Sequence, residues 1–73
     1  MPKKQQVHIT EYRFGYFPHV FVLDNETHNV VAIERTETSN KQYRFVVKDE
    51  NQERYELVKD IKDDSWTARI MVQ

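Results

Sequence analysis

The segment Val20-Phe21-Val22-Leu23-Asp24-Asn25-Glu26-Thr27-His28-Asn29-Val30-Val31-Ala32-Ile33 decides the fold class. Two apolar runs of strand length flank a polar stretch that contains Asp and Asn. The β-branched residues in both runs are stiff at χ1 and pack well on a pleated surface. Runs of this kind around a turn-forming segment predict a β-hairpin, with residues 24–29 as its loop. His28 then falls in that loop.

Upstream, Val7 to Phe14 reads as a strand, with Val7 and Ile9 on one face and His8, Thr10, Tyr12 and Phe14 on the other. Apolar groups change faces along it, which implies twisting or two-sided burial near Tyr12. Gly15, the only glycine in the chain, marks a turn or bulge. Pro18 removes a ladder donor and suits a strand start or a sheet edge. Residues 1–6 read as a flexible basic tail carrying Lys3 and Lys4, with 7–73 as one small β domain.

Downstream, Thr36 to Asn40 is a polar break. Tyr43, Phe45 and Val47 alternate with Arg44, Val46 and Lys48 as in a half-buried strand. Asp49-Glu50-Asn51-Gln52 is a loop. The next segment is readable in two ways. Tyr55 and Leu57 alternate as in a returning strand, whereas Tyr55, Val58 and Ile61 fall at helical spacing behind a possible cap at Asp49. The strand fits its neighbours better; a short helix near 52–61 is the alternative. Asp60 to Ser65 is an acidic turn, and Trp66, Ala68, Ile70 and Val72 alternate with Ser65, Thr67, Arg69 and Met71 as in a last strand. The expected fold is all-β, a small antiparallel meander or open barrel of five to six short strands.

At 73 residues with no cysteine, the chain has no disulfide to staple a small core. Its stability must come from apolar burial, chiefly of aromatic rings. Five of those rings, Tyr12, Phe14, Tyr16, Phe17 and Phe21, crowd into one short segment. Charged residues make up 32 % of the chain, yet the net charge is −1, without the basic surplus typical of nucleic-acid binders. No run of about 18 apolar residues suggests a membrane span, and Met1 to Gln6 is too polar to begin a signal peptide. These features suit a cytoplasmic protein.

Motifs for chemistry are absent. His8, His19 and His28 lack metal-ligand spacing, and Asp60, Asp63 and Asp64 lack the glycine and terminal glutamate of a calcium loop. Neither Ser39 nor Ser65 lies in a nucleophile turn, and one glycine cannot build a phosphate loop. The expectation is a non-enzymatic protein with no cofactor and no metal. Tyr12-Arg13-Phe14 and Tyr43-Arg44-Phe45 have the texture of strands that stack nucleobases. Neighbours on a strand face opposite ways, however, so ring and guanidinium should not share a surface within either triplet. A protein partner fits better, met by Lys3, Lys4, Tyr12, Arg13, Tyr16, Phe17 and His19, while Phe14 and Phe21 pack inside.

In length, charge content, lack of cysteine and near-neutral balance, the whole chain resembles small bacteriophage-encoded regulators that bind host RNA polymerase. The resemblance lies in size and composition and transfers no functional residue. It implies a regulator of transcription, an inhibitor or antiterminator, working in the host cytoplasm. Lys3, Lys4 and Arg13 would meet acidic groups on the polymerase, with aromatic rings at the centre of the contact. The alternatives are a small β-barrel that binds RNA or single-stranded DNA, and an oligomerising structural domain.

Overall fold

The computed structural model describes residues 5–71, which are all-β. The strands are β1 (Gln5–Gln6), β2 (His8–Arg13), β3 (Phe17–Leu23), β4 (Glu26–Thr38), β5 (Gln42–Asp49), β6 (Arg54–Asp60) and β7 (Trp66–Ile70). Their order in the sheet is β1-β7-β6-β5-β4-β3-β2, and every adjacent pair is antiparallel. Strands β1 and β2 are separated only by Val7, yet they stand at opposite ends of this order. The meander therefore curls until its ends meet, as an open barrel. The Val7 N–H donates to the Trp66 carbonyl at 3.2 Å across that seam. The count is seven strands rather than five or six because Gln5–Gln6, ahead of the expected first strand, adds a short strand. Gln5 and Gln6, assigned to the tail on sequence, pair with Ala68 and Thr67. Lys3, Lys4 and Val72 lie outside the described residues.

The first hairpin is tighter than its sequence suggests. Leu23 pairs with Glu26, so the loop is only Asp24 and Asn25. Both take left-handed backbone angles (φ 53° and 65°), as in the two-residue turn whose twist matches that of paired strands. Asp and Asn tolerate this region better than other non-glycine residues. Consequently Val20–Leu23 pairs with residues 26–29, not with Val30–Ile33, and His28 is a buried strand residue rather than a loop residue.

Strand β4 serves two neighbours in turn. Its first four residues pair with β3, and residues from Val30 to Thr38 pair with β5. Register shifts between Val30 and Ala32 and between Ile33 and Arg35 mark two bulges close together. A bulge inserts an unpaired residue, bends the strand and increases its twist. Two in succession swing β4 away from β3.

Residues 54–60 form strand β6, not a helix, paired with β5 on one side and β7 on the other. Tyr55 and Leu57 face the core, while Glu56 and Val58 are buried on the opposite face. The core joins Ile9, Phe21, Leu23, Val30, Phe45, Val47, Tyr55, Leu57, Trp66 and Ala68. Phe45 and Val47 are inward, as alternation predicts, but Ile70 is partly exposed. On the outer face Arg35, Glu37, Arg44, Glu56 and Arg69 form a ladder of opposite charges across β4 to β7. Arg69 Nη2 donates to Glu56 Oε1 at 2.7 Å. Arg44 Nε faces Glu56 Oε2 at 3.5 Å, close enough for charge attraction though without hydrogen-bond geometry.

The inward series Tyr43, Phe45, Val47 ends on Asp49, which is fully buried. Its Oδ2 lies 2.9 Å from His28 Nδ1, and its Oδ1 accepts from the N–H groups of Asn51 and Glu53 at 2.9 and 3.0 Å. His28 stacks on Phe21 and tilts against Tyr55. Burial opposes the Asp49 charge, but His28 and the two N–H donors outweigh it and hold the carboxyl below its ordinary 3.8. Burial, with Glu53, Asp49 and Glu26 nearby, pushes the Tyr55 hydroxyl up to about 12.

A carboxyl depressed in the folded state stabilises above its unfolded pKa and loses that contribution as pH falls through the folded value. Asp49→Asn should therefore lower stability by about 3 kcal/mol near neutral pH. The gap between wild type and variant should shrink below the ordinary 3.8, read as melting temperature against pH for both proteins.

Candidate functional site

Strand β2 ends at Arg13, which pairs with Phe17 across a three-residue loop of Phe14, Gly15 and Tyr16. The Tyr16 N–H donates to the Arg13 carbonyl at 3.3 Å. Closing so short a loop requires left-handed angles at Phe14 (φ 53°) and Gly15 (φ 85°). Glycine adopts these freely, but a bulky side chain with positive φ is strained. The turn thus ejects Phe14 from the strand it was expected to continue. Instead of packing inside, Phe14 is 84 % exposed. Tyr16 is 56 % exposed and stacks on Phe17 at 4.4 Å between ring centroids. Phe17 is half-buried and meets Phe45 edge-on at 6.0 Å. The solvent-facing rings are thereby continuous with the core.

Beside this tip lies an open cleft of about 420 Å³. One wall carries Arg13, Phe14, Phe17, Pro18 and His19, and the other carries Val30, Val31, Ala32, Ile33 and Thr36. The first wall is the end of β2, the turn and the start of β3, and the second is β4 beyond its last pair with β3, Val20 with Asn29. Between the pairs Glu11–Val20 and Tyr12–Pro18, one step on β2 spans two on β3, leaving His19 as the extra residue. Pro18 has no N–H to offer either neighbouring strand. Arg13 Nη2 lies 3.5 Å from His19 Nε2 on the same wall. Contrary to the alternation argument, Arg13 and Phe14 do share a surface, because the turn interrupts the strand between them. Tyr43-Arg44-Phe45 behaves as expected, with Phe45 buried and Arg44 on the outer face.

Of the residues assigned to partner binding on sequence, Arg13, Phe17 and His19 line the cleft and Tyr16 covers Phe17. Tyr12 is partly exposed but stands elsewhere, over the barrel seam. Its hydroxyl accepts from Trp66 Nε1 at 3.1 Å, with the rings 6.2 Å apart. The sequence reading missed Phe14, Val31 and Ile33. Phe14 was concealed because strand alternation was carried one residue too far. Its signal is the following Gly15, which marks a turn. Val31 is 58 % exposed and Ile33 borders the same opening. A continuous apolar run conceals which of its members a bulge will turn outward.

A second group of polar side chains, His28, Asp49 and Glu50, brings potential ligand atoms within 4.8 Å of one another. Each carboxylate is already engaged. Asp49 holds His28 and two backbone N–H groups, and Glu50 Oε1 accepts from the Asn29 N–H at 3.2 Å while Oε2 takes the Asn29 side-chain amide. These bonds lock the β5–β6 turn onto the start of β4.

Tyr12→Phe removes only the oxygen that Trp66 bonds. It should lower stability by about 1 kcal/mol in a denaturant titration, while leaving ligand contacts in the cleft intact. A loss of partner binding at unchanged stability would return Tyr12 to the contact surface. Comparison with known proteins finds no family model that matches this chain, no similar curated protein and no similar solved structure.

Proposed function

We propose that this chain is a small β-domain that works by binding another protein through the Phe14–Tyr16 tip and the adjoining cleft. One observation carries the reading: a phenylalanine held in a left-handed conformation and almost fully exposed. Each circumstance is unfavourable for that side chain. Left-handed backbone costs a non-glycine residue about 1–2 kcal/mol, and exposure forgoes its burial. Strain of this kind collects at functional sites. Around Phe14 lie Tyr16, Phe17, Val31 and Ile33, a composition that fits the apolar centre of a protein interface. Arg13 is the one cation among the described residues lining the cleft. That supports a protein partner over a nucleic-acid strand, whose phosphates call for several cations.

For the partner, the reading extends to bacterial RNA polymerase, on the strength of the size and composition shared with phage-encoded regulators. Such a domain would inhibit transcription or promote antitermination by occupying a surface.

Purified bacterial RNA polymerase and the full chain provide the test, by equilibrium binding. Phe14→Asn and Tyr16→Ala should each weaken the complex on the order of tenfold or more. Melting temperature should stay nearly unchanged for Tyr16→Ala and unchanged or higher for Phe14→Asn, since Asn tolerates left-handed angles. Absence of binding by the unsubstituted chain would remove the polymerase as partner. A large loss of stability on substitution would make the tip structural.

A further inference from the structure

We infer that the cleft receives an extended peptide strand of the partner, which pairs along the open edge of β4 and sets a carboxylate against Arg13. This rests on the protein-binding reading above and specifies its ligand. Beyond Asn29, β4 has β5 on one side and no strand on the other among the described residues. Strand neighbours sit about 4.8 Å apart, and β3 ceases to fill that position where the bulges bend β4 outward. An unpaired strand edge presents backbone donors and acceptors ready for another chain.

Natural edges of this kind are usually blunted by charged residues, proline, a bulge or a covering segment. Here the open stretch carries two bulges, yet its first four residues, Val30-Val31-Ala32-Ile33, have no charge or proline ahead of Glu34 and Arg35. The opposite wall offers the rings of Phe14 and Phe17 and the Pro18 ring. Backbone pairing on one side and apolar pockets on the other match recognition by strand addition, in which the main chain gives affinity and alternate side chains give specificity.

Charge complementarity defines the rest of the ligand. Among the described residues no carboxylate lines the cleft, and Glu34 and Glu37 on the β4 side are engaged with Arg54 and with Arg35 and Arg44. Arg13 meets no carboxylate among the described residues; the one side-chain hydrogen-bond contact it makes there is with His19. A strand with alternating apolar side chains and an acidic residue toward the Arg13 end fits both features.

The probe is a peptide of about seven residues, enough to follow residues 30–36 at about 3.3 Å per residue. It alternates valine with threonine and carries one aspartate at an end. Two further forms bear N-methyl groups on one or the other alternate set of backbone amides. The parent should bind the full chain saturably in fluorescence polarisation. One N-methylated form should bind roughly tenfold or more weakly, because several backbone hydrogen bonds are lost. The other, whose methyl groups face away from β4, should bind like the parent. Arg13→Glu should weaken the aspartate peptide and favour its lysine counterpart.

Lack of saturable binding by the parent overturns the inference, as does equal binding of both N-methylated forms. Equal binding that is still weakened by Phe14→Asn would leave the cleft a protein-contact site while removing strand pairing. A concentration-dependent dimer that the peptide disperses would make a second copy of this chain the occupant, which also overturns it.

Discussion

The double bulge in β4 is the constraint on which the rest of the structure depends. A long strand that kept one register would hold β3 and β5 in one open sheet. By changing partners at Asn29 and Val30, β4 lets the meander turn through enough angle for β1 to reach β7. The same bend opens the cleft on the opposite side of β4. Closure of the barrel and exposure of the apolar edge are therefore two results of one backbone event.

Burial inside this frame depends on two aromatic groups. One runs from Phe14 through Phe17, Phe45 and Trp66 to Tyr12 and crosses the barrel from tip to seam. The other packs Phe21, His28 and Tyr55 around the Asp49 carboxylate. The first is wholly aromatic and tolerates exposure at its ends. The second is closed and polar at its centre, so each of its groups must keep its partner. In a domain without a disulfide, this buried hydrogen-bond set also specifies which turn lies over which strand.

Much of the fold was legible because strand alternation is a local property. Phe45, Val47, Tyr55, Leu57, Trp66 and Ala68 are inward as their spacing predicts. What escaped the sequence were breaks in that alternation. The tight turn set an alternation that puts His28 and Val30 inward and Val31 in solvent, and the two bulges that follow it are announced by no residue type. The hairpin loop shrank to Asp24 and Asn25 because both adopt left-handed angles, a choice that the polar run through Asn29 obscures. Arg13, Phe17 and His19, part of one cleft wall, lie in the aromatic segment and were legible from it. The facing wall is built from residues distant in sequence and exists only because β4 leaves β3, which no local pattern encodes.

The seam at Val7 also has a temporal side. Gln5 and Gln6 find their partners in Ala68 and Thr67, almost the whole described chain away. Contacts this distant in sequence slow folding, because the entropy of a large loop is lost before any pairing rewards it. The turns at Phe14–Tyr16 and Asp24–Asn25, by contrast, can form locally. During synthesis the first strand must wait for the last, and Trp66–Ile70 must emerge before the barrel can close. Until then both the β1 segment and the apolar β4 edge are open to other chains. A nascent molecule thus exposes the β7 edge that β1 will later cover, whereas the β4 edge stays open in the finished fold.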